Sequence, residues 1–353
     1  MAEKEIIMTG DVQKEAEAKN LLNGYIGTYY SEKSKGIYQF SFDPVSGRMT
    51  EPELFYEAPN AKWVSLNGSS MAFPVERNGR AGTCFLKLKD GEVSHKEEIL
   101  EEKQTPCYVL QKNDFVYTAN YHEGTVMVYR LDDGTPFVVK RIENGAGAGC
   151  HQIMLHETYL MVPCLEQNKI RLFDMTDHYI QAGEILFPEG SGPRHGIFNR
   201  DHTRLYVVSE WSNELFVFRV HGKEFVLIQS ISVLPEGGEG SNRENAASAA
   251  IRLTKDEAYL YISVRGADLL AVFEIREDKA AAIQHISCGG AHPRDFILSE
   301  NEDFILTANR FGGGIACIER DRKSGLLKSV RHRIDMPEAV SLLLVNSTQE
   351  ASL

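Results

Sequence analysis

Two short phrases, Pro193-Arg194-His195 and His292-Pro293-Arg294, set a guanidinium beside or near an imidazole twice in one chain. His151, Tyr121, Glu210, Arg265 and Arg310 stand at corresponding places in other stretches. Arginine offers a planar fork matched to phosphate or carboxylate oxygens and stays charged throughout the physiological range. A ring of such groups around a carboxylate and one or two imidazoles is an anion site with an acid/base group inside it. Its arginines can hold an oxyanion during acyl transfer, and Glu210 or His151 can serve as general base on water.

What brings these residues into correspondence is a repeat. The same phrase recurs seven times: a short apolar run after Pro or His, a polar turn, a second apolar run ending in Asn, Ser, Glu or Arg, and a third run with the pattern apolar-x-apolar-aromatic. The clearest copies start at Thr105, Cys150, Pro193, Ala247 and His292, about 40–55 residues apart, a period of propeller blades or helical arrays. Short alternating or β-branched runs separated by Gly, Asn and Asp decide for strands. The expectation is an all-β chain, a seven-bladed β-propeller. Its blades span 24–60 plus 337–345, then 63–103, 105–146, 150–190, 193–235, 246–288 and 292–333. The first blade lacks its first run, and the unpartnered PEAVSLLLV at Pro337–Val345 supplies it, so a C-terminal strand completes the first blade and closes the ring. Residues 1–22 are expected as a helical or disordered extension, 23–345 as the propeller and 346–353 as a tail. The Gly- and Glu-rich stretch Pro235–Asn245 reads as a mobile surface loop that could border the central opening. In a propeller the first strand of each blade lines the central channel. Residues at first-strand starts (Pro106, His151, Arg194, His195, Ala247, Arg294) and second-strand ends (Tyr121, Leu165, Glu210, Arg265, Arg310) are therefore expected at one rim.

The bulk properties narrow the class. Net charge −12 and a pI near 5.5 argue against nucleic-acid or anionic-membrane partners, which demand basic surface. No run approaches the roughly 18 apolar residues of a membrane span, and the charged N-terminus is no secretory signal. Six scattered cysteines form no CxxC pair and suggest free thiols and a cytoplasmic home. No metal is expected, because HxH, HExxH and clustered Asp are missing and the pore set is dominated by cations. GAGAG and GGEG do not lead from a strand into a helix, so they are not nucleotide loops, and no GxSxG elbow occurs.

The phrases GYIGTY, SKGIYQFSFDPVSG, CHQIML, SGPRHGIF, YVVSEWSNEL, YLYISVRGADLLAVFEI and GGAHPRDFILSENEDFILTANR resemble the seven-bladed propeller lactonases of the 6-phosphogluconolactonase type, relatives of the fungal carboxy-cis,cis-muconate cyclase. The resemblance covers about residues 23–345. It implies hydrolysis of a small anionic sugar lactone, such as 6-phosphogluconolactone, without metal or organic cofactor. It puts the catalytic set on His151, Arg194, Glu210 and Arg265, with His195, Arg294, Arg310 and Tyr121 as substrate-binding neighbours. The chain departs from some relatives before His151, where Gly149 occupies the first place of a His-x-His pair.

Blander roles compete. His151 can be a satisfied core histidine, Arg194 and His195 a strand cap, and Glu210 one half of a structural ion pair. Arg310 reads as a blade-to-blade bridge before it reads as a catalytic group. The remaining histidines, His122 among them, need no function. Two other functions share the same residues: a cyclase acting on an unsaturated dicarboxylic acid, and a non-catalytic propeller that binds a partner on its rim. Nothing in the sequence sets an oligomeric state.

Overall fold

The computed structural model describes residues 21–236 and 243–345. The expected extension up to residue 20, the tail from 346 and most of the Gly- and Glu-rich joint lie outside the described residues. The rest is seven four-stranded antiparallel sheets, β1 to β28 in chain order. Six blades are consecutive meanders. The remaining one, the first blade, has the order β28-β1-β2-β3, with β28 at Ala339–Leu344 pairing antiparallel to β1 at Leu22–Thr28, and β2 at Gly36–Phe42 and β3 at Glu53–Glu57 completing the sheet. This is the closure expected from the orphan C-terminal run. β1 begins at Leu22, one residue inside the stretch assigned to the extension.

Strand alternation explains why the ring holds. In β21 (Tyr259–Arg265) Leu260 and Ile262 enter the cluster shared with the preceding blade, while Tyr259 and Tyr261 enter the cluster shared with the following one. Successive side chains of a strand point to opposite faces, so each sheet is apolar on both sides. Every junction between adjoining blades has its own buried cluster, from Phe42 against Phe304 at the closing seam to Phe85 against Tyr129 between blades two and three. The second blade, the least regular in sequence, still forms four strands, although its innermost, β4 (Ser65–Asn67), is only 3 residues long.

The innermost strands carry the feature that matters for chemistry. β16 (Pro193–Phe198) pairs with β17 (Arg204–Ser209) with a register shift between Pro193 and His195, leaving Arg194 as the extra residue. The same shift falls between Pro293 and Asp295 in β24 (Ala291–Leu298), isolating Arg294. In β20 (Ala247–Leu253) it falls between Ser248 and Ile251, and in the β1–β28 pair it sets off Val340. A bulge bends a strand and re-aims its side chain. Four blades thus turn a residue toward the axis at one level, and two of those residues are arginines.

Leu342, on the closing strand, is buried against Leu22, Phe42 and Phe304. Leu342→Ala is expected to lower unfolding free energy by about 2–5 kcal/mol, read as a lower urea midpoint. An unchanged midpoint would mean that β28 does not hold the ring shut.

Candidate active site

His151 comes from the segment before β12 (Met154–His156), where the backbone of Cys150 pairs with that of Cys164 across the chain and the His151 amide donates to the Pro163 carbonyl. Glu210 follows β17, with its amide held by the Gly192 carbonyl at 2.7 Å. Arg265 ends β21. All three line an axial cavity of about 200 Å³ together with Tyr29, Lys62, Cys107, Tyr121, His122 and Arg294. Arg194 lines a narrow cleft continuous in its lining with that cavity, through His151, Arg294, Cys107, Lys62 and Tyr29.

At the centre, both arginines converge on one carboxylate oxygen. Arg194 Nε lies 2.8 Å from Glu210 Oε2, and Arg265 Nη2 lies 2.7 Å from the same atom. Backbone carbonyls hold the other ends: Arg194 Nη1 donates to Ala249 O at 2.5 Å, and Arg265 Nε donates to Ala247 O at 3.2 Å. Ala249 lies in the bulge of blade six, so a small residue there leaves room for the arginine of blade five. Burial would push the Glu210 carboxyl up, but Arg265 and Arg194 prevail and hold it below its usual range. Burial and neighbouring Arg265 bring Arg194 down to about 9, where it is still cationic at neutral pH.

The two imidazoles are uncharged for the same reason. His151 and His195 are buried beside Arg194, and desolvation followed by the arginine field pushes both well below 6.5. Their tautomers follow from their partners. His195 Nε2 faces Arg194 Nη1 at 3.5 Å and His151 Nδ1 at 3.1 Å. A guanidinium can only donate, so His195 Nε2 accepts and His151 Nδ1 carries the hydrogen. The lone pair of His151 is thereby left on Nε2. His195 itself does not line the cavity; it packs against Trp63 and Tyr108 and acts on the site through His151.

Tyr121 lines the cavity and bonds through its hydroxyl to Glu166. Arg310 is placed differently. Its Nε lies 2.7 Å from Glu338 Oε2, and it lines a separate cavity of about 550 Å³ at the seam of blades seven and one. This is the blade-to-blade bridge anticipated as its competing role. Leu165 is buried in a single 3-10 turn (Leu165–Gln167) and lines none of these spaces. Gly149 has φ +73, and a Cβ there would meet the Glu166 amide nitrogen at 2.9 Å, so no histidine fits in this conformation.

Four cavity residues escaped the sequence reading: Tyr29, Lys62, Cys107 and His122. Tyr29 follows the second strand of its blade, as Tyr121 does, and Cys107 follows Pro106 at a first-strand start, so the repeat register contained both. His122, set aside as a turn residue, faces the cavity beside Tyr121. Lys62 precedes a 3-residue inner strand, in the blade least like the others. Around the cavity Lys62, Arg194, Arg265 and Arg294 outnumber the one carboxylate, Glu210. That donor set suits an anion and repels a divalent cation, and among the described residues no three His, Cys, Asp or Glu side chains cluster as metal ligands would. No helix among them is long and apolar enough to cross a membrane.

Glu210→Gln removes the carboxylate from between two buried guanidinium groups and is expected to cost about 3–5 kcal/mol of stability. The wild-type contribution should be complete above the ordinary carboxyl pKa of 4.5 and fade as pH falls through the lower folded value. Urea unfolding at pH 7 and pH 3 should show the difference between the two proteins shrinking in acid. A difference independent of pH would deny the clamp its electrostatic role.

Residues 23–344 match the family model described as lactonase, 7-bladed beta-propeller. The chain is 29% identical over 340 residues to the 6-phosphogluconolactonase of Bacillus subtilis strain 168, covering 90% of this chain and 96% of the relative. It superposes with a TM-score of 0.85 on the crystal structure of a Lactobacillus plantarum protein, 25% identical, over 92% of this chain and 100% of that one. The periplasmic gluconolactonase of Pseudomonas aeruginosa, 22% identical, shares the fold with a TM-score of 0.82 over 92% and 99% of the two chains.

Proposed function

The chain belongs to the family of seven-bladed β-propeller lactonases, and we propose that it hydrolyses an anionic sugar lactone, 6-phosphogluconolactone or a related aldonolactone, by metal-free attack of water. The observation that carries this reading is the meeting on one cavity of an uncharged imidazole, His151, with an arginine–carboxylate–arginine clamp. The name of the Bacillus relative supports the substrate class, as does the surplus of cations in a chain of net charge −12. A cavity of about 200 Å³ suits a sugar, being smaller than the roughly 300–1,000 Å³ of sites for drug-sized ligands.

His151 Nε2 accepts a proton from water while the water oxygen bonds to the lactone carbonyl carbon. The carbonyl electrons pass to oxygen, and the positive charge left over in the clamp stabilises that oxyanion. Collapse re-forms the carbonyl and breaks the bond to the ring oxygen, which takes the proton back from His151. The product is an open-chain hydroxy acid whose carboxyl proton goes to solvent. Glu210 makes a poor base, since two guanidinium groups already share its Oε2; its part is to fix Arg194 and Arg265. We place the reaction in the cytoplasm, as six free cysteines suit a reducing compartment.

His151→Ala is expected to lower kcat on 6-phosphogluconolactone by roughly 10²–10⁴-fold after subtraction of spontaneous ring opening. Activity within a few-fold of wild type would remove His151 as the base. Because its folded pKa lies well below 6.5, kcat/KM should stay level from neutrality down past pH 6.5 and fall only when His151 takes up a proton in more acidic solution. An acid limb centred above 6.5 would contradict a desolvated base. Adding an unsaturated dicarboxylic acid to the panel separates lactone hydrolysis from cyclisation, and turnover of the diacid alone would overturn the lactonase reading.

A further inference from the structure

Among the described residues, the buried and half-buried arginines are almost all spoken for. Arg194 and Arg265 hold Glu210, Arg252 holds Asp295 at 2.6 Å, and Arg320 donates to the Glu302 carbonyl at 3.0 Å. Arg294 is different. Burial lowers its pKa, yet among the described residues it makes no ion pair or hydrogen bond, and its nitrogens are not sealed from the cavity. Its guanidinium lies over the ring of Tyr29, 5.4 Å from the centroid. Lys62 approaches the same ring, with Nζ at 5.6 Å, and it too has no carboxylate partner among the described residues. An aromatic face attracts cations without using up their N–H donors. Two cations are thus held at one end of the cavity with their hydrogen-bonding capacity unspent.

We propose that Lys62 and Arg294, held on the ring of Tyr29, form a dianion subsite that takes the phosphate of a phosphorylated sugar lactone and so sets a preference for phosphorylated over neutral lactones. The inference rests on the lactonase reading and extends it. Charge supports the division of the site. Arg194, Arg265 and Glu210 together leave one positive charge, suited to one oxyanion; Lys62 and Arg294 supply two, suited to a phosphate monoester near neutrality. Both cations line the same cavity as His151, so a substrate anchored there by its phosphate keeps its ring within reach of the base. Arg310, paired to Glu338, also lies over the Tyr29 ring, 4.3 Å from its centroid.

The test compares 6-phosphoglucono-δ-lactone with glucono-δ-lactone on the full chain carrying Lys62→Gln, with Lys62→Arg as the charge-keeping control. Removing one charge-assisted hydrogen bond to the phosphate should lower kcat/KM for the phosphorylated lactone about ten- to hundredfold more than for the neutral one, and Lys62→Arg should restore most of the ratio. Equal losses on both lactones, or no rescue by arginine, would overturn the subsite. A second readout needs no turnover: inorganic phosphate should raise the melting temperature of wild type and do so less for Lys62→Gln. If wild type hydrolyses neither lactone but shows this phosphate dependence, the lactonase reading fails and the anion subsite stands. If phosphate stabilises both proteins alike, the subsite is overturned.

Discussion

One oxygen atom, Glu210 Oε2, holds guanidinium groups that arrive on different blades. Without it, Arg194 and Arg265 would face each other across a space largely shut off from water, where like charges repel far more strongly than at the surface. With it, the two cations are fixed to within hydrogen-bond distance and still sum to a net positive centre. The rest of the site answers to that field. His151 and His195 stay uncharged because protonation would add a third cation beside the pair, and the direction of their shared hydrogen bond is set by Arg194, which can only donate. The propeller's contribution is to bring blade four, with its histidine, beside blades five and six, with their ion cluster, at the axis.

Backbone irregularity achieves that alignment. In a regular ladder an inner-strand side chain at this level would enter a blade junction or lie along the sheet. The extra residue in β16 and β24 turns Arg194 and Arg294 inward, while the equivalent bulges of blades six and one carry Ala249 and Val340, which take up little room. The same backbone device thus gives different chemistry in different blades, depending on which side chain sits in the bulge.

The blades, their order and the closing strand could be read from the sequence because each blade repeats the same two-sided alternation, and a repeated pattern is detectable even when single strands are ambiguous. Tyr121, His151, Glu210 and Arg265 could be placed on the axis for the same reason: each occupies a fixed offset from an apolar run. Lys62 could not, since blade two departs most from the repeat. Tyr29 was hidden because its blade is assembled from the two ends of the domain. The tautomers of His151 and His195 depend on which neighbours they face across blades, and no linear pattern records that. Arg310 shares the register of Arg265 but meets Glu338 from the closing segment, so identical spacing leads to a bridge in one blade and to the cavity in another.

That β28 comes from the far end of the domain has a consequence for biosynthesis. Translation delivers the chain from its N-terminus, and early segments begin to fold while later ones are still being made. Blades two to seven can each complete their own sheet as they emerge, but the axis-facing edge of β1 has to wait for residues 339–344. Until they arrive, β1 presents unpaired amide and carbonyl groups, the kind of edge that recruits strands from other molecules. The nascent protein therefore passes through a stage, ended only by its last strand, in which it is nearly assembled and most exposed to mispairing.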